Sequence, residues 1–457
     1  MIEPIIEIND ITIDGNGIGR YNNLVYFVSN TIPGDIVKVK ILKHKKNYAI
    51  AVPIEYIKTS ENKVNPICSH FNECGGCKWQ HINYDQQLFL KEKHIKDEFL
   101  KILKPSHDLN FEFLEINKSK KIFRYRNKLE FTFHNNLTNT NNLACGFHKL
   151  KKFNEVIDID TCYLQEEPSN LIRKFVKNWA IERNIEFYNQ IHHTGILRNI
   201  ILRNNLHNDF LVNIVVSKFD NNIKDLSNLL IKEFKEIKSV FLTINDKKNS
   251  SLTNTQYTIL HGEDHIKESL DDLTFKIDAF TFFQVNTLQA LKVYKKICQI
   301  IEELNIKEEP ILDLYCGIGT ITLFVSKYAK KVIGVDNLKE NINKAKSNLI
   351  LNKIDNAEFI LGEAEKVLKE GVFHNFKPKL IIVDPPRSGL HKRVIKYIQE
   401  KQPNFIIYLS CNPSTQARDI SSLIDDYNII FSEPFDMFPH TYHTENLVLL
   451  EKVNKHN

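Results

Sequence analysis

From about Thr281 onward the chain repeats one unit: an apolar run, a loop carrying Gly, Pro or an acid, then a stretch of helical spacing. PILDLYCGIG, KVIGVD, AEFILG, KLIIVDPPR and FIIYLSCNP supply the apolar runs, and helices are expected through Lys327, Asn348, Lys401 and Leu423. Strands that alternate with helices in this way pack as a doubly wound parallel sheet, an α/β fold. In such sheets ligands gather beyond the carboxyl ends of the strands, so residues 276–457 are expected to hold the main site there.

The two preceding regions read differently. Residues 1–59 alternate apolar and polar positions between Gly and Asn turns, as in LVYFV and IPGDIVKVKI, which predicts a small β-barrel. Its Lys38, Lys40, Lys43, Lys45, Lys46 and Lys58, interleaved with Tyr48 and Tyr56, suit either a stacking surface for single-stranded nucleic acid or a solvated strand edge. Residues 60–275 open on a cysteine-rich stretch and an amphipathic helix at 84–103. The runs KLEFTF, LACGF, GILRNIILRN, DFLVNIVVS, SVFLTIN and YTILHG follow, broken by helical spacing near 171–183 and 223–234, which predicts a mixed-sheet domain. Residues 135–142 read as a polar loop.

At 457 residues the chain is long enough for two or three cores, and no apolar run is long enough to cross a bilayer. The acidic opening without a basic leader is read as that of a cytoplasmic chain. Lys and Arg outnumber Asp and Glu by only 61 to 56, so an acidic partner is permitted but must be argued from local clusters. Arg124, Arg126, Lys128 and Arg198 are candidates for phosphate contact or, equally, solvated strand residues.

Four motifs fall at the ends of predicted C-terminal strands or starts of them. Glycines in Asp313-Leu-Tyr-Cys-Gly317-Ile-Gly319 let backbone approach a ligand, and Asp336, ending the next strand, can accept hydrogen bonds from ribose hydroxyls. The loop lacks the full GxGxxG pattern of dehydrogenases, which favours S-adenosylmethionine; Tyr315 either packs beside the loop or lines the cofactor pocket. Asp384-Pro-Pro-Arg387 fixes an acid at the sheet edge, suited to substrate contact. Cys411, in SCNP, ends another strand as a candidate nucleophile, provided its pKa is lowered. Glu445, after His440 and His443, is a candidate acid or base; the histidines lack a third metal ligand at usual spacing. Nearer the N-terminus, Cys68, Cys74 and Cys77 with Cys162 form a four-thiolate set suited to either a cubane iron-sulfur cluster or zinc.

In order and spacing, DGNGIGR, IPGD, CSHFNECGGCKWQH, IDIDTC, FFQVN, DLYCGIG, DPPRSGL, SCNPSTQARD and DMFPHTYHTEN resemble the uracil-5 RNA methyltransferase family. The likeness is to its 23S ribosomal RNA branch, with a TRAM domain and a 4Fe-4S cluster. The resemblance implies a Rossmann-like S-adenosylmethionine domain, an OB-like TRAM barrel that binds RNA, and a central domain carrying the cluster. It implies that Gln284, Tyr315, Asp336 and Asp384 contribute to cofactor or target binding. Cys411 would be the nucleophile, Glu445 the base, and Cys68, Cys74, Cys77 and Cys162 the cluster ligands. The substrate would be RNA, most closely 23S ribosomal RNA, with transfer RNA as the alternative, and no membrane or obligate protein partner. Two competing readings are a radical methylthiolating enzyme and a non-catalytic RNA-binding protein. The first expects cysteines at x3 and x2 separations, whereas this chain has x5 and x2.

Overall fold

The computed structural model describes residues 3–103, 111–135, 143–150, 152–369, 373 and 375–453; most of the expected polar loop, 136–142, lies outside them. Strands Ile5–Ile11, Gly17–Tyr21, Leu24–Val28, Ile36–His44 and Tyr48–Lys58 close into a five-stranded barrel, its last two strands exchanged in spatial order. Their alternation turns Ile6, Ile8, Val28, Val37, Val39 and Ala51 into the barrel. Lys40, Lys43, Lys45, Lys46 and Lys58 stay exposed, whereas Lys38 pairs with Glu3 at 2.8 Å.

A seven-stranded mixed sheet follows, in the order Gln256–Gly262, Ile237–Ile244, Phe210–Val216, Leu197–Asn204, Lys128–Asn135, Leu143–Lys149, Lys152–Asp158. Helices Ser169–Glu182 and Asn222–Glu233 cover one face, burying Ile172, Val176, Leu226 and Leu230 against Phe131, Ile200, Leu202 and Val212. The strand Lys152–Asp158 and a two-stranded hairpin, Ile266–Leu270 with Leu273–Ile277, carry no expectation from the sequence.

The C-terminal sheet has eight strands, ordered Ala357–Leu361, Ala329–Asp336, Glu309–Leu314, Leu380–Val383, Phe405–Ser410, Glu445–Lys452, Tyr427–Phe435, Glu112–Phe113. The first five run parallel, and Glu445–Lys452 runs antiparallel to its neighbour. Glu112–Phe113 comes from far upstream and pairs parallel with Tyr427–Phe435 at the edge. The upstream helix Tyr84–Leu103 lies here too, with Ile95, Phe99 and Leu103 packed among Leu312, Leu314, Ile406 and Ile420. Helix Thr287–Glu303, capped by Asn286, packs Val293, Tyr294 and Ile297 on the other face. Among the described residues no helix is long and apolar enough to cross a membrane.

Candidate active site

Strand direction brings the candidate residues together. Asp384 follows Leu380–Val383, Cys411 follows the adjacent Phe405–Ser410, and Glu445 begins the next strand, which runs the opposite way so that Asn446 pairs with Ser410. Three neighbouring strands therefore deliver two carboxyls and a thiol to one edge. Glu445 is 6% exposed; Asp384 and Cys411 are half-buried.

The electrostatics follow from that crowding. Burial, reinforced by the Asp384 carboxylate, pushes Glu445 well above the usual carboxylate range, and burial pushes Asp384 up to about 7. Burial and then Glu445 also raise the Cys411 thiol, while the Arg387 guanidinium, hydrogen-bonding it, pulls the other way. Arg387 is held in place because Asn412 Nδ2 donates to its carbonyl at 3.0 Å. Asn412 also caps helix Pro413–Ser421 by accepting the Ser414 N–H at 3.2 Å, with Pro413 in the first turn. The positive end of that helix thus starts immediately beyond Cys411, where it favours a thiolate.

The glycine loop follows the strand next to Leu380–Val383 on its other side, one strand from Asp384 and two from Cys411. Tyr315 adopts φ 66°, a left-handed conformation uncommon for a side chain of its size, and Gly317 and Gly319 follow at 56° and 83°. A Cβ on Gly319 would come within 2.6 Å of the Phe359 ring, whereas one on Gly317 would meet nothing within 4 Å. The backbone there is open to an incoming ligand. Asp336 accepts the Gly317 N–H at 3.0 Å, the Leu338 N–H at 2.9 Å and Asn341 Nδ2 at 3.0 Å, which fixes its carboxylate at the mouth of the loop. Tyr315 and Asp336 line one cleft of about 780 Å³ with Glu363, Pro386 and His391.

Gln284 lies elsewhere: its carbonyl accepts Asn127 Nδ2 at 2.8 Å, and it is not among the residues lining that cleft. Two contributors were not singled out from the sequence. Asp313 is fully buried beneath the glycine loop, bonded to Thr322 at 2.5 Å, and burial raises it to about 7. Tyr294, on a helix the strand–helix pattern did not reveal, sits close enough to feel Asp384 and Glu445. His440 and His443 do not converge on a metal: His440 stacks on Phe123 at 4.2 Å, and His443 lies against Tyr442. Burial holds both down to about 4, hence neutral.

The four cysteines Cys68, Cys74, Cys77 and Cys162 line a single cavity of about 500 Å³ with Phe147, Arg126 and Phe283. The Gly76 N–H donates to Cys74 Sγ at 3.4 Å, and burial raises all four thiols. Among the described residues no three His, Cys, Asp or Glu side chains are gathered at a point fit for a metal ion. Of the basic candidates, Arg198 is corrected. It is no solvated strand residue: it is 5% exposed, stacks on Tyr188 and donates to the carbonyls of Asn245, Lys247 and Asn249. Arg124 pairs with Glu166 at 3.8 Å, and Arg126 and Lys128 line the cysteine cavity.

Comparison with known proteins meets this geometry. Residues 83–453 match the family described as tRNA (Uracil-5-)-methyltransferase, and residues 5–54 match the TRAM domain. The chain belongs to the uracil-5-methyltransferase family. An uncharacterized RNA methyltransferase of Bacteroides thetaiotaomicron is 38% identical, covering 96% of this chain and 99% of that relative. One from Caldanaerobacter subterraneus is 36% identical over 98% of each. The crystal structure of Pyrococcus abyssi tRNA (uracil-54, C5)-methyltransferase with S-adenosyl-L-homocysteine superposes with a TM-score of 0.77 at 30% identity, covering 97% of this chain and 98% of that one. The methyltransferase therefore uses S-adenosylmethionine to methylate uracil carbon 5 in RNA, which sets aside the methylthiolating and non-catalytic readings. Its glycine loop, open at Gly317 and faced by the fixed Asp336 carboxylate, fits that cosubstrate.

Proposed function

We propose that the methyltransferase modifies a uridine of 23S ribosomal RNA through a transient bond between Cys411 and carbon 6 of the base. The observation that carries this reading is the delivery of Cys411, Asp384 and Glu445 to one sheet edge by three adjacent strands. Carbon 5 of uracil is a weak nucleophile. Addition of the Cys411 thiolate across the carbon 5–carbon 6 double bond moves an electron pair toward carbon 5 and the carbon 4 carbonyl, with Arg387 stabilising the thiolate beforehand. S-adenosylmethionine, when bound along Tyr315 and Asp336, would supply an electrophilic methyl group to carbon 5, its methyl–sulfur bond breaking to leave S-adenosylhomocysteine. Glu445, as carboxylate, then takes the carbon 5 proton, the double bond re-forms, and the sulfur–carbon 6 bond breaks. Asp384 is suited to accept the uracil N3–H, and Gln284 to contact the target or cosubstrate from the start of helix Thr287–Glu303. The base must leave any stack to reach this edge, so a loop or remodelled segment is the substrate.

In the same reading Cys68, Cys74, Cys77 and Cys162 hold a 4Fe-4S cluster. A single zinc with bonds of about 2.3 Å would need four sulfurs gathered to a point. Four cysteines lining one cavity supply the four thiolates that such a cluster takes. Residues 1–59 are assigned to RNA binding, 60–275 to the cluster domain apart from Tyr84–Leu103 and Glu112–Phe113, which complete the catalytic layer, and 276–457 to catalysis, in a cytoplasmic protein. The likeness to the Pyrococcus abyssi enzyme favours transfer RNA as a second reading of the substrate. Mass spectrometry of ribosomal and transfer RNA from a strain lacking the gene decides between them. Loss of one 5-methyluridine from 23S ribosomal RNA is expected; loss from transfer RNA alone overturns the ribosomal assignment.

A further inference from the structure

Helix Tyr84–Leu103 belongs to none of the strand–helix crossovers, yet several of its polar side chains point inward. Lys91 is 1% exposed, and its Nζ donates to Asp436 Oδ1 at 2.5 Å and to the Phe438 carbonyl at 3.1 Å. Tyr84 donates its hydroxyl to the other oxygen of Asp436 at 2.8 Å. Gln87 accepts the His440 N–H at 2.8 Å and donates to His440 Nδ1 at 3.2 Å. The backbone N–H groups of Lys78 and Trp79, just past Cys77, both reach the His440 carbonyl at 2.9 Å. One turn from the helix end, Glu98 accepts the hydroxyl of Ser414, which follows Cys411 closely.

These contacts fall on two segments, residues 436–444 and the start of helix Pro413–Ser421. The first is the loop of a hairpin whose closing pair is Phe435 with Glu445. Asp436 is thus one residue from the position opposite Glu445. An ion pair with both side chains wholly buried is a costly way to hold a helix against a sheet, since apolar residues of similar volume would do so as well. What the charges add is register, because Asp436 has one direction in which to find its cation.

We propose that Lys91, acting through Asp436, is a positioning residue that holds the 436–444 hairpin so that Glu445 faces the base bound to Cys411. This rests on the reading of Cys411 as nucleophile and Glu445 as base. Lys91 touches neither substrate nor cosubstrate. Its loss should leave attack by Cys411 intact and slow the proton removal that frees the product.

The test uses the full-length protein as purified with its metal content, competent RNA and three variants. Lys91→Met is expected to lower kcat about 100-fold, to change KM for RNA and S-adenosylhomocysteine affinity less than threefold, and to accumulate a protein–RNA adduct on denaturing gels. Tyr84→Phe removes one hydroxyl from the Asp436 network and serves if Lys91→Met does not fold; a kcat about fivefold lower with adduct present is expected. Lys101→Met, on an exposed position of the same helix, should behave as the parent. Parental kcat in folded Lys91→Met, or in Tyr84→Phe where the first is unfolded, overturns the proposal, and so does a KM rise that accounts for the whole loss. If Glu445→Gln yields no adduct while Cys411→Ser still turns over, the underlying mechanism has failed instead, a result legible without the Lys91 variants.

Discussion

Two neighbouring carboxyls in poorly hydrated surroundings resist being charged together, and half-buried Asp384 and buried Glu445 are such a pair. Cys411 is raised beside them, so the resting site holds it as a thiol, with a proton on the carboxyl pair. In the proposed reaction Cys411 and Glu445 must each lose a proton, so kcat/KM is expected to climb as pH rises above neutrality, measured by tritium release from carbon 5. A flat profile would contradict that assignment. Cys411→Ser is expected to lower methylation by at least about a thousandfold, as removal of a covalent nucleophile does, with S-adenosylhomocysteine affinity unchanged in calorimetry. Glu445→Gln should instead trap protein on RNA, because attack survives while proton removal fails. Cys411, Asp384 and Glu445 were legible in the sequence since each sits beside a strong strand signal whose direction dictates where it ends. Asp313 was quoted as part of a motif but not given its role, because only packing reveals that its carboxyl is sealed beneath the loop it orders. Arg198 misled because a basic residue in a strand reads as solvated until the carbonyls that consume it are seen.

At the scale of elements, the parallel strands and most crossover helices followed from apolar runs and loop chemistry. The helix Thr287–Glu303 did not, because it precedes the first apolar strand of the repeat, although Ala290, Val293, Tyr294, Ile297 and Ile301 keep a regular apolar face. The edge strand Glu112–Phe113 is too short to leave a period. The glycine loop offers a test of how tightly one turn is specified. Gly319→Ala would place a methyl against Phe359 in a conformation that L residues avoid, and should cost about 1–3 kcal/mol in chemical unfolding as well as weakening S-adenosylmethionine binding. Equal stability would mean that Phe359 swings aside freely. For the cysteine cavity, Cys162→Ser is expected to lower iron content and visible absorbance with methyl-donor affinity retained. Stoichiometric zinc in the unmodified protein would refute the iron centre.

Across the whole molecule, buried titratable groups oppose one another. Burial raises Glu268, Asp313 and Asp384 to about 7, so between roughly pH 4 and 7 the folded chain keeps protons that the unfolded chain has released, and stability falls as pH rises. Burial lowers His81, His440 and His443 to about 4, so the unfolded chain binds the extra protons below its own value of 6.5, and stability rises with pH over that window. Below about pH 6.5 the two sets offset; above it the histidine contribution fades while the carboxyls of the folded chain still release protons. Melting temperature should therefore decline from pH 6.5 to 8 in scanning fluorimetry. Asp384→Asn should flatten part of that decline, gaining about 2–4 °C at pH 8 while abolishing methylation.

The edge strand Glu112–Phe113 and the helix Tyr84–Leu103 are synthesised before the central sheet, yet they finish a layer whose remaining strands emerge last. During translation, then, Phe99, Leu103 and Phe113 wait for a surface that does not yet exist, and the late half arrives with a matching apolar flank and a bare edge. The catalytic half is consequently not a detachable cassette. Grafted onto another RNA-binding module without its early partner, it would be expected to clump rather than acquire a new address.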